Sequence, residues 1–83
     1  MNEDILKGKW KQFQGEVQKE WGKLTDNDVD QVKGEIKMLV GKIQEKYGTN
    51  IDEAKKQIDD FLKKVKDFDE EFTNEIRKEL EKE

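Results

Sequence analysis

Six glycines fall in two runs of three at seven-residue steps, Gly8, Gly15 and Gly22, then Gly34, Gly41 and Gly48, the second run displaced by 26 residues. Superposing residues 6–22 on 32–48 also aligns Lys7 with Lys33, Lys11 with Lys37 and Gln18 with Gln44. The same register pairs Leu6 with Val32, Trp10 with Ile36, Phe13 with Leu39, Val17 with Ile43 and Trp21 with Tyr47. Self-similarity at a fixed period constrains a fold more than any single motif does, because each copy is expected to form the same supersecondary unit. The chain reads as an internal duplication.

The repeated unit has helical periodicity. Leu6, Trp10, Phe13, Val17 and Trp21 recur at steps of four, three, four and four, a single stripe that predicts a helix over residues 3–21. The stripe returns as Val29, Val32, Ile36, Leu39, Ile43 and Tyr47 and predicts a second helix over 26–47. Gly22 and Gly48 stand just past these stripes, where a left-handed C-cap is expected. Thr25 followed by Asp28 reads as an N-cap with an acidic first turn.

A third stripe, Ile51, Ala54, Ile58, Phe61, Val65, Phe68, Phe72, Ile76 and Leu80, follows two overlapping capping boxes, Thr49 with Asp52 and Asn50 with Glu53. One long helix could carry it. The acids at Asp67 and Asp69 favour a bend near 66–68, with Asp67 and Glu70 capping a separate helix, so the expected elements are 50–66 and 68–81. The expected fold is an all-α bundle of three to four helices, with Trp10, Phe13, Val17, Trp21, Ile36, Leu39, Ile43, Tyr47, Ile58 and Phe61 in its core.

At about 100° per residue, Gly8 and Gly15 project nearly opposite the first apolar stripe. Each glycine inside a helix costs roughly 0.5–1 kcal/mol relative to alanine, so Gly8, Gly15, Gly34 and Gly41 together need an explanation. Two are open: close approach of another helix to a second face, or a helix kept weak. These four glycines are the candidate interaction face.

Composition narrows the chemistry. The 83 residues include no Cys, His, Ser or Pro, so the usual nucleophiles and transition-metal ligands are reduced to Thr, Lys, Tyr and carboxylates. Carboxylate pairs need a concave pocket, which a thin bundle rarely provides. No catalytic residue, cofactor site or metal site is expected. With 31% hydrophobic against 46% charged residues the core should be small, while a net charge of -4 avoids the self-repulsion that accompanies disorder. The longest apolar run, Met38 to Val40, cannot span a membrane, and MNEDILKGKW lacks the features of a secretory signal, so a cytoplasmic location is expected.

Several sharper motifs are incomplete. DNDVDQVKGEIK, starting at Asp26, opens like a calcium loop, but Gln31 stands where the invariant glycine belongs and Lys37 where a bidentate glutamate belongs. Lys7, Lys9, Lys11, Lys19 and Lys23 interleave with Trp10, Phe13 and Trp21, a pattern suited to nucleic acid. Glu3, Asp4, Glu16 and Glu20 leave only +1 over the first 24 residues, which argues against phosphate binding. Contact of the first helix with an anionic membrane surface stays open, although it requires the core residues to be released. Toward the end, Phe68, Phe72, Ile76 and Leu80 either cover the core or form a seam for self-association.

The pieces Gly8-Lys9-Trp10-Lys11, Trp21-Gly22-Lys23-Leu24-Thr25-Asp26, Leu39-Val40-Gly41-Lys42-Ile43-Gln44 and Tyr47-Gly48 resemble the CsbD-like family of small bacterial stress-response proteins, over residues 2–62. The resemblance implies a small helical bundle, abundance under general stress and no established enzymatic activity; it supplies no functional residue to carry over. On it, residues 1–62 form the family domain and 63–83 a C-terminal amphipathic helical extension. The expected role is non-enzymatic, either as a protectant of hydrophilin-like composition or as a folded module that docks a partner protein or a second copy.

Overall fold

The computed structural model describes residues 3–65 and 68–82, with side chains from Gly8 onward. Five helices follow in order: α1 (Glu3–Glu20), α2 (Asp26–Val32), α3 (Ile36–Tyr47), α4 (Ile51–Lys64) and α5 (Glu70–Glu81). No strand occurs among the described residues.

Local chemistry sets most helix ends. Thr25 and Asp28 form a reciprocal capping box, Asp28 N donating to Thr25 Oγ1 at 3.1 Å and Thr25 N to Asp28 Oδ2 at 3.0 Å, so two otherwise orphaned amides are satisfied. Asn50 Oδ1 accepts from Glu53 N at 2.8 Å and starts α4. Gly48 takes the left-handed conformation, φ 67°, and donates to Gln44 O, closing α3 as expected. Gly22 does not: among the described residues the positive-φ positions are Lys33, Gly34 and Gly48, and α1 stops at Glu20.

The expected single helix over 26–47 is instead two. Lys33 (φ 48°) and Gly34 (φ 86°) turn the chain between α2 and α3, and Glu35 N donates to Val32 O at 2.8 Å across the turn. Glycine tolerates that left-handed backbone without strain, and α2 folds back against α3. Gly8, the counterpart of Gly34 in the sequence alignment, lies inside the unbroken α1, so the 26-residue duplication has no backbone counterpart at this point and three to four helices become five.

The break between the last two helices falls where the third stripe was expected to bend. Residues 66 and 67 lie outside the described residues, and with them the capping role read for Asp67. Asp69 caps α5, its Oδ1 accepting from Phe72 N at 2.9 Å.

The core gathers one face from each helix. Trp10, Phe13, Val17 and Trp21 of α1 meet Val29 and Val32 of α2, Ile36, Leu39 and Ile43 of α3, Ala54, Ile58 and Phe61 of α4, and Phe72, Ile76 and Leu80 of α5. Tyr47, placed in the core by its spacing, is half-buried at the margin, and the side chain of Leu6 is outside those described. Phe13 sits at the hub, with ring centroids 5.5 Å from Phe61 and 5.0 Å from Phe72 in tilted and edge-on geometry, arrangements favoured by the ring quadrupoles. The radius of gyration, 11.5 Å, matches the ~12 Å expected of a folded chain of this length.

Both indoles are satisfied. Trp10 Nε1 donates to Val29 O at 3.0 Å, a carbonyl in the last turn of α2, and Trp21 Nε1 donates to Gln57 Oε1 at 2.9 Å. The first ties α1 to the short helix α2; the second ties the end of α1 to α4.

Candidate functional site

Gly8 and Gly15 lie on the outer side of α1 and Gly41 on the outer side of α3; all three are exposed, and a Cβ added at any of them meets no atom within 4 Å. They therefore mediate no close helix approach inside this chain. Gly34 stands apart from them in the α2–α3 turn, buried, where its positive φ explains it. The helices that carry the other three pack elsewhere: α1 on α2 and α5, and α3 on α2, α4 and α5.

The lysine and aromatic pattern of α1 separates into two populations. Trp10, Phe13 and Trp21 are buried, so no base could stack on them without opening the core. Lys9 Nζ pairs with Asp69 Oδ2 at 2.9 Å, Lys19 with Glu16 at 3.6 Å, and Lys23 lies 5.1 Å from the Tyr47 ring centroid. A membrane-surface role for α1 meets the same obstacle, since its apolar face is already occupied. No helix among the described residues is long and apolar enough to cross a membrane.

Asp28 is the most buried charged side chain among the described residues. It is 7% exposed, caps α2, and receives Lys46 Nζ at 3.3 Å and Lys42 Nζ at 3.7 Å from α3. The hydrogen bond from the Thr25 backbone N–H holds its carboxyl below the usual value; burial opposes this, and the Lys46 ammonium adds to the lowering. At Asp69 the Phe72 N–H, and then Lys9, lower the carboxyl in the same way. Sequence reasoning read Asp28 as a first-turn acid but gave no signal for its lysine partners, because an ion pair spanning a turn leaves no local spacing.

The concave surfaces are shallow. An open groove of about 520 Å³ runs between α4 and α5, where Asp52, Lys56, Asp59, Arg77 and Glu81 alternate in sign over Leu80. Arg77 Nε donates to Asp59 Oδ1 at 3.3 Å, so the arginine of the groove is already paired with a carboxylate. A second groove of about 450 Å³ beside the α2–α3 turn includes Asp30, Lys33 and the exposed Met38. Among the described residues no group of three or more potential metal ligands comes together, and the acids read against a calcium loop lie on or beside α2.

A family model described as CsbD-like matches residues 4–67. The UPF0337 protein Bd3330 of Bdellovibrio bacteriovorus is 43% identical over 74 residues, 89% of this chain and 76% of that protein. The UPF0337 protein YjbJ of Escherichia coli is 50% identical over 64 residues, 77% of this chain and 93% of its own length. The UPF0337 protein RPA4217 of Rhodopseudomonas palustris is 44% identical over 66 residues, 80% of this chain and 100% of its own length. No solved structure matches the chain. The family match ends before α5, yet Phe72, Ile76 and Leu80 of that helix lie in the shared core.

Proposed function

This chain belongs to the CsbD-like family of general stress-response proteins, and we propose that it acts without catalysis as a cytoplasmic protectant, a small helical body whose charged, hydrated surface keeps other macromolecules apart under stress. One observation carries the reading: among the described side chains, Met38 and Ile51 are the exposed large apolar residues, each 40% exposed, while acids and bases alternate over the rest of the surface. Such a surface offers little adhesive apolar area and no large field of one sign, so the molecule can accumulate between other proteins without binding them tightly. The test is recovery of a dried or heated reporter enzyme in the presence of the purified protein. Recovery should exceed that given by an inert globular protein at equal mass; equal recovery rejects the protectant role.

A second reading rests on the three helical glycines. Gly8, Gly15 and Gly41 weaken α1 and α3 without serving any contact in the chain, which is the expected mark of a surface that a partner helix approaches closely. Alanine at these positions distinguishes the two readings. Under the protectant reading, protection survives the substitutions; under the docking reading, a binding activity is lost while the fold becomes more stable.

A further inference from the structure

We infer that the α2–α3 turn is the hinge of a domain-swapped dimer, in which Lys33–Glu35 straighten, α2 joins α3 as one helix, and α1–α2 of each chain seats on α3–α5 of a second copy. The apolar stripe is the first ground. Val29 and Val32 of α2 and Ile36, Leu39, Ile43 and Tyr47 of α3 keep the phase of a single helix through the turn. A folded-back pair of helices has no need of that phase, whereas a continuous helix over 26–47 does.

The hinge itself is short and conformationally costly. Three residues separate the helices, and one of them, Lys33, takes a left-handed φ of 48° with a full side chain. Gly34 does not forbid a helix here, because the sequence-aligned Gly8 sits inside the unbroken α1. Straightening thus removes one unfavourable backbone conformation and adds helical hydrogen bonds.

The partner is a second copy because the surfaces across the hinge are already complementary. Asp28 pairs with Lys42 and Lys46, Lys23 N donates to Tyr47 Oη at 2.9 Å, Glu20 pairs with Lys64 at 2.9 Å, and Phe13 packs on Phe61 and Phe72. Each contact joins α1, α2 or their connection to α3–α5, so each is remade between two chains. The Trp10 to Val29 hydrogen bond lies within the exchanging half and travels with it. In a straight helix Asp28 and Lys42 lie 14 residues apart, about 21 Å. Their ion pair then has to form with the other copy. Exchange of identical elements gives a dimer at little energetic cost when only the hinge changes.

Light scattering of the full chain and two hinge variants tests the inference. Gly34→Ala penalises the positive φ and favours helix, and should raise the dimerisation constant about tenfold or more; Lys33→Gly relieves the turn and should lower it. Because the chain has no cysteine, Glu20→Cys chains can be mixed with Lys64→Cys chains, refolded together at high concentration and treated with a short bis-maleimide. A crosslinked heterodimer is expected, enriched over the same mixture combined after folding. A Gly34→Ala protein that stays at 9.9 kDa, or that loses helix without associating, overturns the inference. So does a dimer in which the position 20 to 64 crosslink fails to form between chains.

Discussion

Replacing Gly8, Gly15 and Gly41 together with alanine should stabilise the protein substantially. Each position is helical and exposed, and the added methyl group meets nothing within 4 Å, so no steric term opposes the change. Alanine removes backbone freedom from the unfolded chain and exposes less backbone in the helix, a gain of about 0.5–1 kcal/mol per site. Gly8 and Gly15 are two turns apart and Gly41 lies on another helix, so the effects should add to about 1.5–3 kcal/mol. For a domain of 83 residues that corresponds to a rise in Tm of about 9–17 °C. Thermal unfolding followed by circular dichroism reads the shift, and light scattering shows whether the protein is monomeric in each case. An unchanged or lowered Tm would mean instead that the glycine surface is in contact with something.

Other substitutions probe the core and its charges. Phe72→Ala removes a ring that is fully buried beyond the end of the family match and should cost about 3–5 kcal/mol in urea unfolding, out of a total of about 4–12 kcal/mol for 83 residues; a loss below about 1 kcal/mol would show that α5 is not seated on the core. Trp10 and Trp21, both buried, provide the fluorescence signal for that measurement. Asp28 and Asp69 titrate lower in the folded state than in the unfolded chain, so the stability they contribute is complete above about pH 4 and is lost as pH falls through their folded values. Unfolding curves of the wild type and Asp28→Asn should therefore differ most near neutrality and converge on acidification; a gap that widens toward acid would contradict the assignment. Trp21→Phe leaves Gln57 Oε1 without its indole donor and should lower stability by about 1 kcal/mol, with no effect pointing instead to a water-satisfied amide.

The stripes were legible because burial on a helix imposes a period of 3.6 that survives in the residue order, and every core residue read from spacing is buried except Tyr47, which lies at the margin. Thr25 with Asp28 and Asn50 with Glu53 were legible for a related reason: capping chemistry acts over three residues and leaves its signature within them. The α2–α3 turn was hidden by the same periodicity that revealed the helices. Its stripe runs through the break without losing phase, and Lys33 carries no sign of a left-handed conformation that usually selects glycine or asparagine. Asp69, the cap of α5, was not legible as one, because Phe72 stands three residues on where a capping box carries glutamate or glutamine. As for function, the glycines drew attention to α1 and α3, but the alternation of sign across the α4–α5 groove depends on the packing of two helices and appears only in three dimensions.

Residue-resolved amide hydrogen exchange on the dilute wild-type protein reports whether the charged chain forms one cooperative body. Amides in the middle of α1, α3, α4 and α5 should be protected to a common level set by global unfolding, including those next to Gly15 and Gly41 and those around Ile76. Exchange near the unprotected rate through α1 and α3, or protection of α5 far below the rest, would contradict a single core completed by the last helix.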